Sequence, residues 1–80
     1  MKHTYEIEFE VGQRVSWNYF GMPEGAADQR GLGRVSRVCI HQYRDSYYVR
    51  YDIESSDRTR IIEDIPASCV FAQPAESMAL

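Results

Sequence analysis

Short segments rich in apolar residues recur along this chain, with turn residues between them, and some of them alternate apolar and polar residues. Five such segments are visible, at 9–15, 31–38, 48–52, 61–66 and 69–71. Alternation with a period of two is typical of strands that have one solvated face. Evenly spaced short strands favour an all-β barrel over a fold of alternating strands and helices. The sequence therefore predicts a five-stranded barrel, an architecture that serves binding more often than catalysis.

The length of the chain limits what it can hold. Its 80 residues make one domain, and 44% of them are hydrophobic. A domain of this size buries only about 60% of its unfolded surface, which leaves little room for a deep active-site cavity. No apolar run approaches the roughly 20 residues that span a bilayer, and the N-terminus lacks the apolar core of a signal peptide. We expect a cytoplasmic protein that contacts no membrane.

The two ends of the chain differ from its middle. Residues 4–9 alternate, so we expect residues 1–8 to form an N-terminal extension or an extra strand. The barrel is expected over 9–72. Small and polar residues dominate after it, which predicts a flexible C-terminal tail over 73–80.

A glycine-rich stretch over 21–33 separates the first two core strands. It holds four of the five glycines and Pro23, so no regular element is expected through it, apart from a short helical turn over 24–29. A loop of this length in a small domain often carries function. We expect it to contribute to a binding site.

Two local features predict how the sheet curls. Val35 and Val38 are both apolar but three residues apart, so a bulge or strong bend is expected where both point inward. Residues 66–68 predict a short 3-10 turn before the last strand. Six further side chains are expected in the core: Phe9, Val15, Val49, Tyr51, Ile61 and Ile65. A seventh, Phe71, is expected there from the last strand.

Charge is unevenly distributed along the chain. The net charge is −3, yet residues 29–60 carry seven Arg against four acidic residues, whereas 1–28 and 61–80 are each acidic. An acidic total argues against a protein that coats nucleic acid nonspecifically, although a local arginine face remains open.

Chemistry-bearing residues are sparse. Cys39 and Cys69 are expected to be buried thiols rather than a disulfide or a zinc site, because neither belongs to a CxxC pair and His3 and His41 are scattered. No nucleophile–base spacing or phosphate-binding loop is visible. We expect no enzymatic activity, no cofactor and no metal.

At the level of family, residues 9–71 resemble the SH3-like barrels, in their Tudor and KOW-like branch. The resemblance is carried by an opening aromatic, a glycine and a polar pair at 9–14, by the third strand at 48–51, and by 62–66 leading into a short turn. The run 12–18 is similar to the start of small bacterial Tudor-like domains. The resemblance implies an aromatic cage, with Tyr19 (or Trp17) and Tyr51 as two walls and Glu54 or its neighbours at the position of a third.

Two functions from different classes follow. The leading one is a protein-interaction module, an adaptor or accessory protein, that binds its partner through the loop 21–33 and an aromatic surface of Trp17, Tyr19, Phe20 and Tyr51. The alternative is RNA or DNA binding. In that reading Arg37, Arg50 and Arg60 contact phosphates, and Tyr43 or Tyr48 stacks on bases. We expect a monomer or a weak homodimer, paired through strand edges.

Overall fold

A computed structural model describes residues 5–21 and 29–73. It contains five strands and one 3-10 turn: β1 (Arg14–Asn18), β2 (Arg30–Tyr43), β3 (Ser46–Ser55), β4 (Ile61–Pro66), the turn Ala67–Cys69 and β5 (Val70–Ala72). The strands form one antiparallel sheet in the order β4-β3-β2-β1-β5. The all-β prediction is confirmed. Within the described residues β4 and β5 do not pair with each other, so the sheet is not closed.

The longest strand, β2, is shared by both halves of the sheet. Its first residues pair with β1, and its residues from Gly33 onward pair with β3. The register shifts between Val35 and Arg37, which leaves Ser36 as an extra residue. Val35 is buried and Val38 packs against the core, so the expected bulge is confirmed.

A second bulge lies in β4 and changes which isoleucine points inward. Tyr51 pairs with Ile65 but Ile53 pairs with Ile62, so β4 carries one extra residue between these pairs. Asp64 in this stretch has a left-handed backbone, with φ of 63°. The extra residue puts Ile62 and Ile65 on the same side. The prediction that Ile61 lies in the core is therefore wrong, and its side chain is 55% exposed.

The core lies on one side of the sheet. Its buried hydrophobic members are Phe9, Val15, Trp17, Val35, Val49, Tyr51, Ile53, Ile62, Ile65, Cys69 and Val70. Phe9 and Tyr51 were expected there, and their rings meet edge to face with centroids 5.7 Å apart. Phe71 was also expected there but is exposed. It pairs with Ser16 on the outer side of β1, while its neighbour Val70 faces inward opposite Trp17.

Two glycines predicted to lie in a loop belong to β2 instead. Gly31 pairs with Trp17, and a Cβ on Gly31 would lie 2.7 Å from the indole. Gly33 is buried, and a Cβ there would collide with the backbone carbonyl of Glu54. The missing side chains thus allow close packing inside the strand. Residues 22–28, with most of the expected helical turn over 24–29, lie outside the described residues.

The segment before β1 is not a strand in the described residues, but it covers part of the sheet. The hydroxyl of Tyr5 donates to Gln42 Oε1 at 2.7 Å, and the backbone N–H of Glu6 donates to the Tyr47 hydroxyl at 2.7 Å. These contacts place Tyr5 and Glu6 against the inner side of the β2–β3 hairpin. Residues 74–80 of the expected tail lie outside the described part, so the boundaries of the domain stay a prediction.

Both cysteines are free thiols, Cys69 buried and Cys39 half-buried. No helix in the described residues is long and apolar enough to cross a bilayer.

Candidate functional site

The aromatic residues predicted to form one binding surface are divided between core and surface. Trp17 is 2% exposed and Tyr51 is 1% exposed, so the expectation that they present their rings to a partner is wrong. Trp17 is buried because Gly31, directly opposite, leaves room for the indole. Tyr51 points into the core, where its hydroxyl accepts a hydrogen bond from the backbone N–H of Phe9 at 3.3 Å. Of the predicted cage walls, Tyr51 and the alternative Trp17 therefore lie in the core, whereas Tyr19 is half-buried.

The other two predicted residues remain accessible to different extents. Phe20 is 66% exposed, next to the part of the chain outside the description. Tyr19 is half-buried, packs against the core and hydrogen-bonds to Arg50. Tyr19 thus connects the residues predicted to bind a protein partner to Arg50, one of the residues predicted to contact nucleic acid.

Most of the residues predicted for nucleic-acid contact lie together on the side of the β2–β3 hairpin that faces away from the core. Arg37 pairs with Asp52, and Cys39 with Arg50. Because residues two apart share a face of a strand, the same side carries the next pairs toward the turn. We call this surface the hairpin face: Arg37, Cys39, His41 and Tyr43 of β2, and Ser46, Tyr48, Arg50 and Asp52 of β3. Four of the five residues predicted for nucleic-acid contact belong to it.

Arg60 does not join this surface. It precedes β4, and its carbonyl accepts a hydrogen bond from the backbone N–H of Ser55. Ser55 is five residues beyond Arg50 along β3, about 16 Å at the usual strand rise. Arg60 therefore lies apart from Arg37 and Arg50, with which it was predicted to contact phosphates.

Stacked rings mark the centre of the hairpin face. The rings of His41 and Tyr48 lie 4.7 Å apart at an angle of 6°. The guanidinium of Arg50 lies over the Tyr48 ring, 5.5 Å from its centroid. Tyr48 nevertheless stays 50% exposed. Its ring is therefore held in place on both sides while one edge remains open to a ligand.

His41 was not predicted as a site residue. The signal for it was present in the turn at Arg44 and Asp45, because a two-residue turn places Tyr43 opposite Ser46 and hence His41 opposite Tyr48. Counting back from the turn would have brought the two rings together.

Acidic residues partner the arginines of the hairpin face. Arg37 Nε donates to Asp52 Oδ2 at 2.7 Å, and its guanidinium lies 4.0 Å from the Glu63 carboxylate. Arg50 donates to the carbonyl of Asp64 at 3.1 Å and lies 3.7 Å from its carboxylate. The hydrogen bond to Asp52 raises the pKa of Arg37, and the hydrogen bond to Tyr19 raises that of Arg50. Both arginines stay charged, with part of their charge already balanced.

In the part of the chain that the structure describes, no three His, Cys, Asp or Glu side chains converge on a point that could hold a metal ion. Comparison with family models, curated proteins and solved structures finds no match to this chain. The hairpin face therefore has to be interpreted from its own geometry.

Proposed function

We propose that this chain is a non-enzymatic interaction module that binds a protein partner through the hairpin face. The observation that carries the proposal is the half-exposed ring of Tyr48, which is held between His41 and Arg50. Tyrosine and arginine are the side chains most often found at the energetic centre of protein interfaces. A ring that is already fixed loses little conformational freedom when a partner covers it.

The packing beneath the hairpin face supports this role. Val49 and Tyr51 anchor the inner side of β3 in the core, and Tyr5 packs against Tyr47 with ring centroids 4.9 Å apart. The hairpin is thus backed by buried contacts rather than projecting alone into solvent. A rigid support of this kind keeps the outer residues in the geometry that a partner would meet.

An SH3-like barrel is the fold that we propose in detail. It is supported by the bulge at Ser36, by the 3-10 turn Ala67–Cys69 before the last strand, and by the pairing of β5 with β1. Such barrels close a strongly bent sheet around a small core. Solution NMR that detects a contact between the free edges of β4 and β5 would test the closure.

RNA or DNA binding is the alternative, because the flat stack of His41 and Tyr48 would also accept a nucleobase. Arg37 and Arg50 would then contact phosphates, and Tyr43 or Tyr48 would stack. The carboxylates of Asp52, Glu63 and Asp64 weigh against it, because each lies within 4.0 Å of one of these arginines and would repel a phosphate. The net charge of the whole chain, −3, also weighs against nucleic-acid binding.

Affinity capture from a lysate of the host, with the wild type and Tyr48→Ala side by side, tests the proposal. Phe71→Ala is the matched control, because Phe71 is a similarly exposed aromatic residue outside the hairpin face. We expect a protein that the wild type and Phe71→Ala retain and Tyr48→Ala loses, with the three melting temperatures close to one another. Equal retention by all three would overturn the proposal.

Salt separates the two functions. Binding of a labelled single-stranded oligonucleotide would weaken by decades between about 50 and 200 mM salt if several phosphates were contacted. We expect no such binding. An affinity for oligonucleotides that falls steeply with salt and disappears in Tyr48→Ala would replace the proposed function by the alternative.

A further inference from the structure

A groove lies at the other end of the sheet from the hairpin turn, where β1, β2 and the turn after β3 meet. Its volume is about 360 Å³, and three arginines from three different elements line it: Arg14 of β1, Arg34 of β2 and Arg58 of the β3–β4 turn. Clefts of this volume are typical of small-ligand sites. None of the three arginines was predicted as a site residue.

The charge of the groove is opposite to that of the chain. Glu54 is the acidic residue among its lining side chains, against three guanidinium groups, whereas the chain as a whole has a net charge of −3. Cross-strand pairing places Arg34 between Arg14 of β1 and Glu54 of β3. One carboxylate therefore lies beside three guanidinium groups, so the lining side chains carry more positive than negative charge.

The side chains around the groove are fixed by their surroundings. Arg34 Nη1 donates to the carbonyl of Gly12 at 3.0 Å, which holds its guanidinium on the β1 side. Gln73 Nε2 donates to the carbonyl of Val15 at 2.9 Å, which fixes the end of β5 beside the groove. A site whose donors are already positioned binds its ligand with a smaller loss of entropy.

The turn that carries Arg58 is also rigid. Arg58 has a left-handed backbone, with φ of 60°, and its N–H donates to the carbonyl of Ser55 at 2.8 Å. The Asp57 carboxylate accepts hydrogen bonds from the Ser55 hydroxyl at 2.6 Å and from the Thr59 hydroxyl at 2.7 Å. A non-glycine residue in this conformation is uncommon.

We infer that this groove binds a small oxyanion, the carboxylate or phosphate monoester of a low-molecular-weight ligand, through Arg14, Arg34 and Arg58. The planar guanidinium group matches both anions with two parallel N–H donors. Leu32, also in the lining and largely exposed, offers apolar contact to the carbon part of the ligand. The inference is independent of the hairpin face, since the two surfaces share no residue.

Titration of the full chain with inorganic phosphate and, separately, with succinate tests the inference. The amide resonances of Leu32, Gly33 and Ser56 report on the groove, and sodium chloride keeps the ionic strength constant. We expect saturable shifts at these amides with at least one anion. Whichever of phosphate and succinate binds more tightly identifies the charged group of the ligand as a phosphate or a carboxylate.

Four variants decide whether the arginines are responsible. Arg34→Gln and Arg58→Gln should each weaken binding about ten-fold, because each removes a charged donor. Arg44→Gln, which removes an exposed arginine at the hairpin turn, should bind as the wild type does. Arg14→Gln provides a third removal if either variant melts early. Shifts that do not saturate, or that are equal in all variants, would overturn the inference.

Discussion

The buried carboxylate of Asp52 accepts a hydrogen bond at 2.8 Å from the backbone N–H of Asp64, the residue that gives β4 its left-handed backbone. Its other oxygen accepts from Arg37 Nε at 2.7 Å. One side chain of β3 therefore holds the bulge of β4 on one side and an arginine of β2 on the other. A buried carboxylate is tolerated only with such partners.

Replacement of Asp52 by alanine should lower the free energy of unfolding by about 2–3 kcal/mol, because the N–H of Asp64 loses a charged acceptor. Arg37→Ala should cost less than about 1 kcal/mol, since that side chain is exposed and its ion pair is screened by water. Urea unfolding followed by circular dichroism measures both. Equal losses for the two variants would show that Asp52 stabilises the fold through its ion pair with Arg37 and not through its hydrogen bond to the bulge of β4.

Trp17→Ala should lower the free energy of unfolding by about 3–5 kcal/mol, because it leaves a large cavity in the core. That is a large part of the stability of a small domain, so part of the protein should be unfolded at 37 °C. Phe20→Ala is the control, since Phe20 is exposed and its loss should change stability by less than about 0.5 kcal/mol. A folded Trp17→Ala with wild-type melting temperature would contradict the buried position of the indole.

Gly33→Ala should destabilise more than Gly31→Ala. The new methyl group at position 33 meets the Glu54 backbone, which cannot move without breaking the sheet, and we expect a cost of about 3 kcal/mol. At position 31 it meets the side chain of Trp17, which can shift, and about 1–2 kcal/mol is expected. Thermal melts rank the variants. Because the chain has one Trp, its fluorescence should change in Gly31→Ala, and the reverse ranking would be inconsistent with this packing.

Asp57 should make stability depend on pH in the acid range. Hydrogen bonds from Ser55 and Thr59 lower the pKa of Asp57 from its ordinary value of 3.8 to about 2. A lowered carboxyl pKa means that the folded state binds fewer protons than the unfolded state. Its stabilisation is therefore complete above about pH 4 and is lost as the pH falls toward 2.

Melting temperatures of the wild type and Asp57→Asn between pH 2 and 6 measure this effect. The difference between them should be constant above about pH 4 and should shrink below it. Thr59→Ala, which removes one of the hydrogen bonds, should move the decline to higher pH. A difference that does not change with pH would mean that Asp57 titrates normally.

Much of the fold could be predicted from the sequence because period-two alternation reports directly on strands. The bulge near Val35 was also predictable, since two apolar residues three apart interrupt the alternation. The bulge at Asp64 was not, because an aspartate in a strand gives no sign that the Asp52 carboxylate will bind its N–H. That missed residue is why Ile61 was expected inside.

The predicted site failed for a reason of packing. Aromatic residues next to a glycine-rich loop resemble a binding surface, yet Gly31 is the residue that lets Trp17 enter the core. Tyr43, Tyr48, Arg37 and Arg50 were predicted together as nucleic-acid contacts, and pairing across the short turn does bring them to one face. The arginine groove depends on pairing between β1 and β2, whose register is not set by a short turn.

The double pairing of β2 has a consequence for how the domain comes apart. Gly33 and Arg34 pair with β1 on one side and with β3 on the other, so neither half of the sheet can detach without exposing the strand common to both. Amide protons in that stretch should exchange with solvent only through complete unfolding. A ligand that holds either end would therefore slow the opening of the whole molecule.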